Sequence, residues 1–209
     1  MTRGRFITLE GPEGAGKSTH LKALAEKLKA RGIPVLTTRE PGGTLLGELV
    51  RKILQFNEAG EAPVPTAELL LFLASRAQLV HNVILPALER GEWVLSDRFC
   101  DSTFAYQGYG RGMNLDELRA INAFATQTLM PDMTLLLDIP RDESRQRVAA
   151  RQEQADRFEQ ERDAFHVRLA EGFRQLAEQE PQRIRRIDST QPQADTEAAI
   201  WSAVAPLLP

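Results

Sequence analysis

Residues 6–19 read FITLEGPEGAGKST, and this stretch decides the fold. The apolar run 6–9 is typical of a buried strand, and leucine and alanine recur at helical spacing over 19–31. The loop between them satisfies the pattern G-x-x-x-x-G-K-[ST] with Gly11, Gly16, Lys17 and Ser18. A glycine loop between a strand and a helix is the setting of a phosphate-binding P-loop, so the sequence predicts one here.

The chemistry of such a loop assigns a role to each part of the motif. Glycines let backbone N–H groups converge on the β-phosphate, while Lys17 reaches the β and γ oxygens and the Ser18 hydroxyl can bind Mg²⁺. We therefore expect ATP to be bound by Gly11, Pro12, Glu13, Gly14, Ala15, Gly16, Lys17, Ser18 and Thr19. The motif alone does not name a reaction, because GTPases, motor ATPases and small-molecule kinases share it.

Outward from the P-loop, apolar strands alternate with helical patterns. Further strands are predicted at 33–40, 93–95, 133–140 and 183–187. Helices are predicted at 45–56, 66–80 and 115–129 and in a final segment through Trp201, with Pro86 interrupting or kinking the second of these. Glycines and polar residues at 107–114 indicate a loop, and the charged stretch 141–180 indicates two helical arms around a mobile centre. The alternation predicts an α/β fold with a five-stranded parallel sheet flanked by helices.

Composition limits the classes of protein that fit. The chain of 209 residues with 42% hydrophobic side chains suits one domain over residues 1–209. A net charge of −3 argues against binding of polymeric nucleic acid, which depends on neutralising many phosphates. The sequence shows neither a secretory signal nor an uninterrupted apolar span, so we expect a cytoplasmic protein without a membrane partner. The single Cys100 fits a reducing compartment and is interpreted as a small apolar filler. The isolated histidines lack metal-ligand spacing and are interpreted as structural or surface residues: His20, His81 and His166.

Two predicted strands end in an acid that could hold the metal ion. Asp97 follows WVLS and Asp138 follows TLLL. Asp97 is preferred because Arg98 stands beside it. A carboxylate for hydrated Mg²⁺ and a guanidinium for an acceptor phosphate at one strand end would suit an enzyme with two phosphate-bearing substrates. For Asp138 a strand-end cap beside Pro140 is the simpler interpretation.

Taken together, several stretches resemble the bacterial type of thymidylate kinase over most of the chain. They are FITLEGPEGAGKST, TREPGGT, LLLFLASRAQ, SDRFCDSTFAYQGYGRG, LLLDIP and DRFE. The resemblance implies a P-loop NTPase fold and transfer of the γ-phosphoryl group of ATP to dTMP, with Mg²⁺. It also implies a homodimer.

The resemblance further implies an acceptor site. Phe72 would stack on the base and Arg76 would meet its polar edge, while Thr103 and Gln107 would read the base. The remaining implied residues are Tyr106 against the sugar 2′ position, Arg98 and Arg51 on the acceptor phosphate, and Arg39 and Glu40 nearby. Core packing for Phe72 and a solvated helix face for Arg51 are the structural alternatives.

A lid over residues 141–160 completes the implied site. The P-loop has Glu13 and Gly14 but no arginine, and in relatives of that kind the lid supplies one. The candidates are Arg147, Arg151 and Arg157, of which Arg151 is the first choice. The expected catalytic set is Lys17, Arg98, Arg151 and Glu13.

Two rival functions stay open on sequence. A kinase for another acceptor, namely dUMP, dCMP or a purine monophosphate, would keep the P-loop and the lid. A P-loop ATPase or switch protein would turn over nucleotide without an acceptor and would have no use for a base-reading set such as Phe72, Arg76 and Gln107.

Overall fold

A computed structural model of the protein describes residues 3–56, 60–150 and 157–209. The strands are β1 (Phe6–Glu10), β2 (Val35–Arg39), β3 (Trp93–Asp97), β4 (Met133–Asp138) and β5 (Ile184–Asp188). All pair in parallel in the order β2-β3-β1-β4-β5. The predicted five-stranded parallel sheet is therefore confirmed, with strand ends that differ from the prediction by at most two residues. The order places β1, and the loop that follows it, between β3 and β4.

The helices of the described residues lie on both faces of the sheet. They are α1 (Lys17–Lys29), α2 (Leu45–Phe56), α3 (Pro65–Leu79), α4 (Leu85–Glu89), α5 (Cys100–Thr103), α6 (Leu115–Thr126), α7 (Arg141–Ala149), α8 (Asp163–Gln179) and α9 (Gln193–Val204), and a short 3₁₀ turn follows at Ala205–Leu207. The two faces of the sheet each bury a separate hydrophobic core, because successive side chains of a strand point to opposite faces. Phe6 of β1 packs with the α3, α6 and α8 side, whereas Ile7 and Leu9 pack with the α1 and α9 side.

A π-helical turn, Val80–Ile84, joins α3 to α4 just before Pro86. Proline has no N–H to donate, and its ring crowds the carbonyl one turn earlier. The helix is therefore not broken at Pro86. It changes from α-helical to π-helical hydrogen bonding over Val80–Ile84 and then continues as α4 to Glu89.

The prediction of a loop at 107–114 is wrong for its first half. A second π-helical segment, Phe104–Gly110, continues α5, and its residues are largely buried. A Cβ built on Gly110 would lie 2.5 Å from Cε2 of Phe165, and one on Gly108 would lie 2.5 Å from Cδ2 of Leu115. Glycine is therefore required at these positions because α6 and α8 approach closely, and not because the chain turns there.

Polar residues are buried between the sheet and α5. Asp101 is 1% exposed and accepts hydrogen bonds from Arg183 Nη1 at 2.6 Å and Nη2 at 2.8 Å. Thr134 Oγ1 donates to Asp101 at 2.8 Å and also contacts Thr8 Oγ1 at 2.9 Å. This network fixes α5, and hence the residues that follow it, to β1, β4 and β5.

Within the described residues, one helical stretch, Pro65–Glu89, is long and apolar enough by length and composition to cross a membrane. Its inward side carries the buried Glu68 and Arg76 and packs into the core. The core helix of a globular domain meets the same test of length and composition, so the finding is weak evidence for a span.

Candidate active site

The P-loop lies between the end of β1 and the start of α1. A Cβ on Gly11, whose φ is 135°, would lie 2.4 Å from the carbonyl oxygen of Leu137, so this position requires glycine. On the far side of the loop, Ser144 Oγ of α7 donates to the carbonyl oxygen of Glu13 at 2.7 Å. The predicted ATP-binding residues thus lie between β4 and α7.

Lys17 stands at the start of α1 and is 6% exposed. Its Nζ donates to the carbonyl oxygens of Pro12 at 2.9 Å and Gly11 at 3.2 Å and lies 3.8 Å from Glu13 Oε2. Burial, together with the charge of Arg98, lowers the pKa of Lys17. The ammonium group therefore lies inside the P-loop and is influenced by a second cation, Arg98.

The two predicted metal ligands are in contact. Ser18 Oγ donates to Asp97 Oδ2 at 2.7 Å. The other candidate acid, Asp138, is paired with Arg186 at 2.6 Å and with Arg174 at 3.5 Å. The described residues contain no group of three or more His, Cys, Asp or Glu side chains that could hold a metal ion. A hydroxyl and a carboxylate beside a phosphate cradle nevertheless fit Mg²⁺, which takes few protein ligands and completes its shell with phosphate oxygens and water.

Arg98 connects the P-loop to a second cavity. Its φ is 73°, a left-handed conformation that is unusual outside glycine, and Ser96 Oγ donates to its carbonyl oxygen at 2.7 Å. The guanidinium donates to the Gly11 carbonyl at 3.1 Å and to Tyr106 Oη at 3.1 Å, and it pairs closely with Glu13. The strained backbone thus holds one cation against both the P-loop and the pocket.

A pocket next to Arg98 gathers most of the predicted acceptor residues. It is lined by Glu13, Glu40, Phe72, Arg76, Arg98, Thr103, Tyr106 and Gln107. Phe72 is half-buried, with its ring 5.8 Å from that of Phe158, so it is a pocket wall that also packs on the core. Arg39 and Arg51 do not line the pocket. Arg39 pairs with Glu48 at 2.9 Å, and Arg51 donates to the Pro41 carbonyl at 3.1 Å.

Arg76 uses every N–H donor within the protein. Nε and Nη2 both donate to Glu40 Oε2, and Nη2 also donates to the Phe99 carbonyl at 3.0 Å. Nη1 donates to Thr103 Oγ1 at 2.8 Å and to Asn122 Oδ1. A base contact by Arg76 therefore requires exchange of one of these partners. Glu40 Oε1 is buried and has no hydrogen-bond partner among the described residues, so it offers an unused acceptor next to the pocket.

Several pocket residues were not predicted. Gln55, Ser102 and Phe158 line the pocket. Ser102 and Phe158 lie within the stretches SDRFCDSTFAYQGYGRG and DRFE, which carry the family resemblance but do not assign a role to either residue. Behind them, the buried Glu10 accepts hydrogen bonds from Phe99 N at 2.7 Å and from Ser102 Oγ at 2.6 Å, while Ser102 Oγ accepts one from Arg98 Nη1 at 3.0 Å. Burial, and then the charge of Asp101, raises the pKa of Glu10 to about 7. Through these hydrogen bonds to Phe99 and Ser102, Glu10 helps to hold the strained backbone turn at Arg98.

The three lid candidates differ in what the structure says of them. Arg147 donates to the Ser189 carbonyl at 2.9 Å and pairs with Glu143, beside the loop after β5. Arg157 pairs with Glu68 at 2.6 Å and donates to the Leu54 carbonyl at 3.0 Å, on the acceptor side. Arg151, the first choice, lies outside the described residues.

Comparisons with known proteins agree on one family. A family model described as "Thymidylate kinase" matches residues 9–200. A thymidylate kinase of Deinococcus radiodurans is 53% identical over 98% of both chains, and one of Alkalilimnicola ehrlichii is 49% identical over 98% of this chain and 94% of its own. A crystal structure of thymidylate kinase from Ehrlichia chaffeensis is 31% identical, with a TM-score of 0.77 over 97% of this chain and 99% of that one.

Proposed function

The chain belongs to the thymidylate kinase family, and from this premise we infer that it transfers the γ-phosphoryl group of ATP to dTMP in the cleft between the P-loop and the Phe72–Gln107 pocket. The observation that carries the placement is the position of Arg98, which contacts the P-loop at Gly11 and the pocket at Tyr106. The shared name of the relatives favours dTMP over dUMP, dCMP and purine monophosphates.

In the proposed complex the two nucleotides meet end to end. ATP lies on residues 11–19, and the acceptor phosphate lies against Arg98, next to Lys17. An oxygen of that phosphate is the nucleophile. It is already anionic near neutral pH, so positioning and charge stabilisation provide most of the acceleration and no strong base is required. Ser18 and Asp97 would hold Mg²⁺, which supplies charge neutralisation on the phosphates when bound.

The base is proposed to lie against Phe72, with Gln107 and Thr103 at its edge and Tyr106 near the sugar. Glu40 Oε1 lies beside this space, has no hydrogen-bond partner in the part of the chain that the structure describes, and would suit a sugar hydroxyl. Arg76 would chiefly hold Glu40 and Thr103 in place, and it would reach the base only by exchanging a partner. Arg51 and Arg39 lie outside the pocket, and we propose them for the phosphate side only. A lid arginine, Arg151 by preference, would add positive charge next to the transferred phosphoryl group and stabilise its oxygens.

We also propose that the chain forms a homodimer through neighbouring helices. Large apolar side chains are exposed on α2, α3 and α6: Leu45 at 91%, Leu49 at 61%, Leu70 at 58% and Phe124 at 89%. An exposed apolar face of this kind is typical of an interface. Light scattering should report twice the chain mass, and Phe124→Glu should shift the protein toward the monomer.

Release of ADP with a panel of nucleoside monophosphates tests the proposed reaction. With ATP and Mg²⁺, dTMP should give the highest kcat/KM, ahead of dUMP, dCMP, AMP and GMP, and ADP release without acceptor should be negligible. Equal rates with all acceptors, or equal rates without any, would remove dTMP from the account while leaving the fold unchanged.

A further inference from the structure

Glu68 of α3 is fully buried, and the reaction described above does not use it. Its Oε1 accepts hydrogen bonds from Gln107 Nε2 at 2.9 Å and Arg111 Nε at 3.2 Å. Its Oε2 accepts hydrogen bonds from Arg157 Nη2 at 2.6 Å and Arg111 Nη2 at 3.0 Å. A buried carboxylate thus connects a pocket residue, the turn after the π-helical segment, and the chain that returns from the lid.

The chemistry of Glu68 dictates how the Gln107 amide is oriented. Both carboxylate oxygens of Glu68 accept hydrogen bonds, from two guanidinium groups and from the Gln107 amide. The Gln107 side chain must therefore turn its NH₂ group toward Glu68, which leaves Oε1 as its second polar atom. Gln107 is 1% exposed and lines the pocket, and within the described part of the chain no group donates to its Oε1.

We propose that Glu68 is the positioning residue that sets base selectivity, because it forces Gln107 to present a hydrogen-bond acceptor to the base. This inference rests on the proposed function. The thymine ring carries a donor at N3–H, which an amide oxygen can accept. Cytosine carries an acceptor at N3, so its lone pair would face the Gln107 oxygen and leave both acceptors unpaired. Uracil also carries a donor at N3–H, so the orientation of Gln107 does not discriminate against dUMP.

Glu68→Gln tests the proposal because the new side chain has nearly the same shape but both a donor and an acceptor. Gln107 can then turn over and present its NH₂ group to the base. The ratio of kcat/KM for dTMP to that for dCMP should fall at least about tenfold, mainly through the two KM values. The measurement is ADP release with each acceptor at saturating ATP.

Arg111→Gln is the matched control. This variant also removes an ion pair of Glu68, because Arg111, which is 17% exposed, is one of its partners. It leaves the Glu68 carboxylate and its hydrogen bond to Gln107 in place. Its dTMP to dCMP ratio should stay within about twofold of the parent. An unchanged ratio in Glu68→Gln, or an equal fall in both variants, would overturn the role of Glu68. A parent enzyme without any preference for dTMP over dCMP would instead count against the proposed function.

Glu68→Gln leaves two arginines short of a partner, and the variant can fail to fold, which circular dichroism will detect. In that case the parent enzyme supplies the test through competition by dCMP and dUMP at decreasing pH. Protonation of cytosine N3 turns it into a donor, so dCMP should gain affinity relative to dUMP as the pH approaches the pKa of that nitrogen. A constant ratio of the two inhibition constants would overturn the proposal.

Discussion

The two halves of the cleft are built in different ways. The half proposed to bind ATP, the donor half, is one continuous loop of backbone amides between β1 and α1, and its shape follows from glycines and a helix N-terminus. The acceptor half collects side chains from residue 13 to residue 158 and holds them with buried ion pairs such as Glu40–Arg76. Changes to the donor half should therefore lower turnover at little cost in stability, whereas changes to the acceptor half should lower stability, selectivity or affinity for the acceptor.

The sharpest test of the donor half is Lys17→Met. The ammonium group is proposed to stabilise charge on the transferring phosphoryl, so kcat should fall by about 10³-fold. The folded state should change little, because Lys17 bonds only to two carbonyl groups and lies near Glu13. Lys22→Met on the exposed face of α1 is the control and should keep parent activity. A turnover within tenfold of the parent would contradict the role of Lys17.

The sharpest test of the acceptor half is Glu40→Gln. The substitution leaves the Arg76 guanidinium buried without its counter-charge, which should lower the free energy of unfolding by about 4 kcal/mol. Urea denaturation measures this loss. Arg90→Ala removes an exposed pair with Glu92 and should cost less than about 1 kcal/mol. Similar losses in the two variants would mean that the buried pair does not hold the acceptor half together.

Glu10 lies where the halves join and should make stability depend on pH. Its pKa is about 7 in the folded protein against an ordinary value of 4.5, so its contribution to stability is complete below pH 4.5 and is lost as the pH rises through 7. Between pH 5 and pH 8 the parent protein should lose up to about 3 kcal/mol more than Glu10→Gln does. Denaturation curves at both pH values provide the measurement. Parallel losses in the two proteins would exclude Glu10 as the source.

The smallest expected effect concerns the bond between Tyr106 and Arg98. Tyr106→Phe keeps the ring against Phe158 but removes the hydroxyl that accepts from Arg98 Nη2. The KM for dTMP should rise about fivefold with kcat nearly unchanged, as expected for one hydrogen bond of about 1 kcal/mol. Tyr109→Phe, outside the pocket, should behave as the parent enzyme. A fall in kcat without any change in KM would place this contact in the chemical step.

The same contrast explains what could be predicted from the sequence. The P-loop and the five strands follow from local patterns, because their shape depends on residues that are neighbours in the chain. The choice of Asp97 over Asp138 needed only the adjacent Arg98, and Asp97 is the acid that meets Ser18. Glu10, Ser102 and Glu68 were missed because their partners lie far away along the chain: Glu10 meets Ser102 across 92 residues, and Glu68 meets Arg157 across 89.

Glycine was the other source of error. The sequence predicts a loop at Gly108 and Gly110, yet they lie in a buried helical segment where a Cβ would collide with Leu115 or Phe165. A glycine that permits a turn and a glycine that permits close packing look alike in a sequence. Only the positions of α6 and α8 distinguish the two.

A crystal structure with dTMP and a non-hydrolysable ATP analogue tests the central claim most directly, namely that both nucleotides share one site joined by Arg98. We predict the thymine ring against Phe72 with N3 near Gln107 Oε1, and the acceptor phosphate at Arg98 in line with the γ-phosphorus above Lys17. A dTMP molecule outside this pocket, or one whose phosphate points away from Lys17, would contradict it.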